Sequence, residues 1–357
     1  MSMTQATSPA ETGLHASAPR GDHLGLQEAS ALASAAFDLS PHTIVRLVSE
    51  RDQNFHIITE AGAEYLLKIS NAKEDVAYIA FQAAAMAHIT AIAPDLPIQR
   101  LRPTSAGKLH FMSQSEPPRI ARLMTYLPGI VLQKVVRTAE LRKTLGATLA
   151  ELGLALREFE EEQPSSLHLL WDMQRAPALR ELSKNVARID IRDLALRALD
   201  RFESYAEPIL KALPRQVIHN DFNLHNVLVS ADATRVTGIL DFGDMIRAPV
   251  VCDLSIGAAY QAELGDDTLG GILDFVGGYS GVRALNPAEV SILPDLIMTR
   301  MAATILITQT NAQRFPENRD YILRNFPIAE AGLRHLSCLP RADAVELFRG
   351  ACKSFST

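Results

Sequence analysis

Residues 219–244, HNDFNLHNVLVSADATRVTGILDFGD, limit what this chain can fold into more than any other stretch. The flanking runs Val217-Ile218 and Val227-Leu228-Val229 have the β-branched character of short strands. Between them stand His219, Asn220, Asp221, Asn223, His225 and Asn226. A tight turn uses about two such residues. A further apolar run, VTGIL, leads to Asp241. A hairpin made of the second and third runs would bring Asp241 back beside Asn226. An Asp and an Asn converging on one point supply the oxygen ligands that Mg2+ prefers. Asp221 is then left to accept a proton from a hydroxyl. The plainer alternative is a structural turn that carries incidental polar residues.

Composition narrows the classes. A chain of 357 residues with 47% hydrophobic and 21% charged residues is long enough for two domains or one two-lobed domain. The formal charge of −6 and the lack of a basic stripe argue against a nucleic-acid binder. Cys252, Cys338 and Cys352 are far apart and form no CxxC, so neither a disulfide framework nor a zinc knuckle is expected. The N-terminus lacks a basic segment followed by an apolar one, and residues 1–22 read as a mobile tail. No run reaches the roughly 18 uninterrupted apolar residues of a membrane span. The expected location is cytoplasmic.

Along the chain, 24–37 reads as a short helix. TIVRLV, FHIITE and EYLLKI form a meander, with Ala61-Gly62 at the second turn. A helix over 74–92 follows, then strands in IQRLRPT, GKLHFM and RIARLMTYL, joined by TSAG and SEPP. After Leu127-Pro128-Gly129 helices dominate, over 138–162, 171–185, 190–212, 250–263, 266–280, 287–311 and 319–336. The expected fold class is α+β with two lobes: a β-rich N-lobe over 23–127 and a mostly helical C-lobe over 128–357. A site between the lobes is the default expectation.

H-x-D-x-x-x-x-N followed by D-F-G resembles the core of the aminoglycoside phosphotransferase and choline kinase family, which has a protein-kinase-like fold. The resemblance implies a phosphotransferase with Mg2+ and with ATP or GTP as co-substrate. It makes Asp221 the catalytic base, Asn226 and Asp241 the metal ligands, and Lys68 the lysine on the α/β-phosphates. A charge between Leu67 and Ile69 in a central strand needs a partner in any case. Gln82, in the middle of the next helix, and Glu74, at its start, are both open as that partner. Neither a Gly-rich nor a Walker loop is present. SERDQNF, with Arg51, Asp52, Gln53 and Asn54, stands where the phosphate-covering loop would be, or is an ordinary polar turn. Around the hinge, the resemblance puts backbone groups near Thr125 and Leu127 on the purine edge, with Met124 and Tyr126 packing nearby.

The acceptor is less legible. By resemblance Asp253 is structural, Asp244 is ambiguous, and Trp171 and Asp172 border the acceptor pocket or simply pack. Arg300 interrupts an apolar helix, and a buried guanidinium wants a carboxylate or phosphate; it could pair with a protein Asp or Glu or grip an amino-acid carboxylate. Within the family the chain is most similar to the hydroxylysine kinase branch, through SERDQNF, FQ, GILDFGDM and PEN over about residues 25–340. That implies a hydroxylated amino acid or amino alcohol, with homoserine, choline, ethanolamine and aminoglycosides as rivals. The implied partners are a nucleoside triphosphate and this small acceptor, in a monomer or homodimer. Two other classes remain. One is a metal-dependent hydrolase built on His219, Asp221 and His225. The other is a catalytically silent kinase-like binding module. In the opening stretch His219 is expected to brace the loop and Asn220 to hold an unusual backbone angle. Asn223 and His225 face phosphate, acceptor or solvent.

Overall fold

The computed structural model describes residues 24–47, 52–71, 74–113, 118–164, 169–265 and 267–353. The N-terminal tail, Arg51 and part of the SEPP turn lie outside them. Helix α1 (Leu26–Phe37) leads into strands β1 (Pro41–Leu47), β2 (Gln53–Thr59) and β3 (Glu64–Ile69). The β2–β3 turn closes on Gly62, whose φ of 79° is open to glycine at little steric cost. Helix α2 (Val76–Ile92) starts where the Asp75 carboxylate accepts the Ala77 N–H. Strands β4 (Leu101–Arg102), β5 (Phe111–Met112) and β6 (Ile120–Thr125) complete the antiparallel sheet, ordered β1-β2-β3-β6-β4 with β5 also on β6. The expected element order holds, although β4 and β5 are two-residue strands.

Alternation sorts this sheet into two faces. Phe55, Ile57, Leu67, Ile69, Ala121 and Leu123 form a core with Ala29, Ala33 and Phe37 of α1. The other face carries Asn54, Lys68 and Arg122, which are paired directly across β2, β3 and β6. A one-residue slip would exchange the faces, so apolar burial fixes the position of Lys68.

Strand β7 (Ile130–Val131) and helix α3 (Ala139–Ala155) follow. The helix ends earlier than 162 because an acidic run, Glu158 and Glu160–Glu162, meets the negative end of its dipole. Residues Met173–Asn185 form 3-10 turns in place of an α-helix, because Pro177 cannot donate to a ladder. The segment expected as one helix over 190–212 is α4 (Ile189–Arg201), a π-turn (Phe202–Ala206) and α5 (Glu207–Ala212). Strands β8 (Arg215–Ile218), β9 (Val227–Val229), β10 (Val236–Ile239) and β11 (Ile246–Pro249) make two small sheets, β10-β9-β7 and β11-β8. Helices α6 (Val251–Ala259), α7 (Gly270–Val282) and α8 (Pro287–Arg314) come next. Then α9 (Arg319–Ile322) and α10 (Phe326–Cys338) divide the segment 319–336, with Pro327 in the first turn of α10. A last helix, α11 (Arg341–Lys353), had no counterpart in the sequence expectation.

One large core joins these helices to Tyr78, Phe81, Met86 and Ile89 of α2. Helix α8 runs through its centre and is long and apolar enough to cross a membrane, but nearly all of it is buried among the other helices. Cys252, Cys338 and Cys352 are all free thiols.

Candidate active site

The polar stretch leaves β8 and returns in β9, and residues 241–245 link β10 to β11, so both loops emerge between the small sheets. Val227 pairs with Ile239, and the Leu240 N–H donates to the Asn226 carbonyl at 2.8 Å. This hairpin sets Asp241 beside Asn226, as the spacing of the apolar runs predicts.

The loop is held from behind. The buried Asp253 carboxylate accepts the N–H groups of His219 (3.0 Å) and Asn220 (2.8 Å). His219 Nε2 bonds to the Leu240 carbonyl at 3.0 Å, and its Nδ1 accepts the Asp221 N–H at 3.3 Å. Both ring nitrogens are therefore occupied, which suits a brace and not a metal ligand. Asn220 has φ 65° and lies buried.

Asp221 receives the side-chain amides of Asn223 (2.9 Å) and Asn226 (2.7 Å) on its two carboxylate oxygens. The Arg300 guanidinium stands 3.5 Å away. Burial, with the Asp244 carboxylate nearby, pushes the Asp221 pKa up to about 7 against the pull of Arg300. That value suits a group that must take up a proton near neutrality. Arg300 itself is buried between the rings of Trp171 (4.6 Å) and Tyr260 (5.5 Å). Of its two expected partner types, the nearby one is a protein carboxylate.

The Lys68 ammonium stands 3.1 Å from Asp241 and 3.1 Å from Asp52. Burial works against its charge, but the two carboxylates outweigh burial and hold its pKa above the ordinary value. Neither Gln82 nor Glu74 is the partner. The Gln82 oxygen accepts from Arg122 at 2.8 Å, and its NH2 donates to the Gly243 carbonyl at 3.3 Å. The Tyr78 hydroxyl donates to the same carbonyl at 2.8 Å. A neutral glutamine fits because Arg122 takes its oxygen and the 241–245 loop takes its donor. Sequence reasoning missed Arg122, though a charge between Ala121 and Leu123 on the Lys68 face was open to the argument applied to Lys68.

Asp52, Lys68, Gln82, Arg122, Asp221, Asn226, Asp241 and Arg300 line one cleft of about 930 Å3, together with Asn54, Met124, Leu127, Asn223, His225 and Asp244. Three expected site residues face elsewhere. Gln53 accepts the Leu24 N–H at 2.8 Å and ties α1 to the sheet. The Thr125 N–H donates to the Arg100 carbonyl, and its hydroxyl accepts the Arg100 N–H, both at 2.9 Å, so neither is directed to a purine. Asp172 caps the 3-10 segment through the Gln174 N–H at 3.0 Å. The donor set fits a hard divalent ion. Asp241 offers a half-exposed carboxylate, and Asn226 turns its NH2 to Asp221, which leaves its oxygen on the other side.

Fold and site together define a two-lobed, kinase-like phosphotransferase. The chain belongs to the Phosphotransferase enzyme family, whose sequence model matches residues 43–285. Membership makes it a kinase that acts on an alcohol acceptor, with a nucleotide co-substrate and a divalent metal. It is 27% identical to a hydroxylysine kinase of Danio rerio over 316 residues, 85% of this chain and 88% of that one. It is 30% identical to a homoserine kinase of Methylorubrum populi over 253 residues, 69% and 73% of the two chains. An amicoumacin kinase solved with AMP-PNP and Ca2+ superposes with a TM-score of 0.65 at 17% identity, over 86% of this chain and 93% of that one.

Proposed function

We propose that the protein transfers the γ-phosphoryl group of ATP or GTP to the hydroxyl of a hydroxylated amine, with hydroxylysine as the leading candidate. Asp221 is the base, Asn226 and Asp241 are the ligands of Mg2+, and Lys68 orients the α/β-phosphates. Residues 23–127 bind the nucleotide and 128–357 the acceptor. The observation that carries this reading is the convergence of Asp221, Asn226, Asp241 and Lys68 on one cleft.

The acceptor oxygen attacks the γ-phosphorus as its proton passes to Asp221. The bond from that phosphorus to the β-phosphate oxygen breaks, and the nucleoside diphosphate leaves. When bound, the divalent ion neutralises charge on the phosphate oxygens. Asn223 and Asn226 hold the carboxylate of Asp221 in one orientation, and Asp253 fixes the loop that carries it. Lys68 is kept charged and extended by Asp52 and Asp241.

The test is nucleotide consumption with Mg-ATP and Mg-GTP against hydroxylysine, homoserine, choline, ethanolamine and an aminoglycoside. Turnover with a hydroxylated amine, reduced about 10²–10⁴-fold in Asp221→Ala, is expected. Unchanged turnover in that variant would remove Asp221 from the mechanism. Homoserine is the second reading, because the Methylorubrum relative matches over most of its length.

A further inference from the structure

The loop that carries Asp241 adopts a shape that its own sequence does not favour. Asp241 has φ 54°, a left-handed angle that residues with a Cβ rarely take. Phe242–Asp244 follow as a single 3-10 turn, and the Asp241 carboxylate folds back onto the Gly243 N–H at 3.2 Å. A conformation of this kind persists only where the surrounding structure holds it.

The loop is held from two sides. On one side Phe242 is buried, with its ring edge-on to that of His219 at 4.9 Å between centroids. On the other side stands helix α2. The Tyr78 hydroxyl lies 2.8 Å from the Gly243 carbonyl and 2.9 Å from the Met245 carbonyl. Its single proton is shared between these two acceptors, one on each side of Asp244. Gln82, one turn further along α2, adds a longer bond to Gly243 at 3.3 Å. The Tyr78 ring belongs to the main core, and only its hydroxyl reaches the loop. Burial, with the Asp244 carboxylate, holds the pKa of that hydroxyl well above the ordinary value, so it stays a donor.

We infer that Tyr78 is a positioning residue for metal binding: its hydroxyl bridges the Gly243 and Met245 carbonyls and so keeps Asp241 where it converges with Asn226. This rests on the reading of Asp241 as a metal ligand. Without the hydroxyl the Met245 carbonyl loses this donor and Gly243 keeps only the longer bond from Gln82. The loop then relaxes away from the left-handed angle. The part of nucleotide affinity that depends on the ion falls, while the contact of Lys68 with the phosphates remains.

Binding of AMP-PNP to the full-length protein, measured by calorimetry with Mg2+ and again with EDTA, separates these two parts. The wild-type protein is expected to bind more tightly with Mg2+. Tyr78→Phe keeps the ring in the core and should weaken binding about 3–10-fold with Mg2+, while binding in EDTA stays within about twofold. In an Asp241→Asn background Tyr78→Phe should make no further difference, because the loop then has no ligand to position. Equal losses with Mg2+ and with EDTA, no loss in either, or a full additional loss on top of Asp241→Asn would overturn the role of Tyr78 and leave the metal site standing. Wild-type affinity that does not depend on Mg2+ would overturn the metal site, and the role of Tyr78 with it.

Discussion

If Asp221 is the base, as proposed, the charge balance around it sets the pH dependence of the reaction. Burial and Asp244 push its pKa up to about 7, and Arg300 pulls against them. Below that pH the carboxyl is protonated and cannot accept the acceptor's proton. In the free enzyme kcat/KM should therefore fall about tenfold per pH unit below about 7 and level off above it. Two substitutions move this limb in opposite directions. Arg300→Met removes the cation that favours the carboxylate, so the limb shifts to higher pH. Asp244→Asn removes the anion that disfavours it, so the limb shifts to lower pH. A pH–rate profile of the three proteins checks both signs, and shifts in the same direction would refute this electrostatic account.

At the scale of elements, the contact between α2 and the 241–245 loop replaces a charged pair with a relay. Arg122 of β6 donates to Gln82 of α2, and Gln82 donates to Gly243. Arg122 is 4% exposed, so losing Gln82 strands a buried guanidinium. Gln82→Leu should cost about 1.5–3 kcal/mol in urea unfolding. Adding Arg122→Met should recover much of that loss, because a methionine needs no acceptor. Additive losses in the double variant would show that the two side chains are not coupled. His219 and Asn220 depend in the same way on Asp253, more than thirty residues downstream.

Across the whole molecule, α8 is the axis on which the helical part is assembled. Asp295 on α8 is fully buried and binds Arg201 of α4 at 2.8 Å and Arg341 of α11 at 2.9 Å. Arg341 also donates to the Ser291 carbonyl at 2.7 Å. One carboxylate thus clasps three helices. Asp295→Ala should cost about 3 kcal/mol and loosen α11 first, seen as faster amide exchange over 341–353 than elsewhere. Uniform exchange would place the loss in the common core. Close packing makes a separate demand, because a Cβ at Gly146 of α3 would run into the Phe275 carbonyl of α7. Gly146→Ala should lower the thermal midpoint, by about 1–3 kcal/mol of stability.

The convergence of the polar loop with Asp241 was legible in the sequence because its parts are local. One hairpin, written in two apolar runs, brings Asp221, Asn226 and Asp241 together, and six polar residues between strands exceed what a turn needs. Alternation also fixed the face of Lys68. Its partners were not legible. Asp241 lies 173 residues further along the chain, and Asp52 reaches it only through the β2–β3 pairing. The same holds for Arg122 with Gln82 and for Asp253 with the loop. Helix α11 offers only a thin apolar stripe, Ala344, Val345 and Phe348, whose meaning depends on the surface that it covers. Hydrophobic period and local spacing decide which way a side chain points. Only the closed tertiary structure decides what it meets, because burial and charge pairing depend on neighbours that the chain order does not place together.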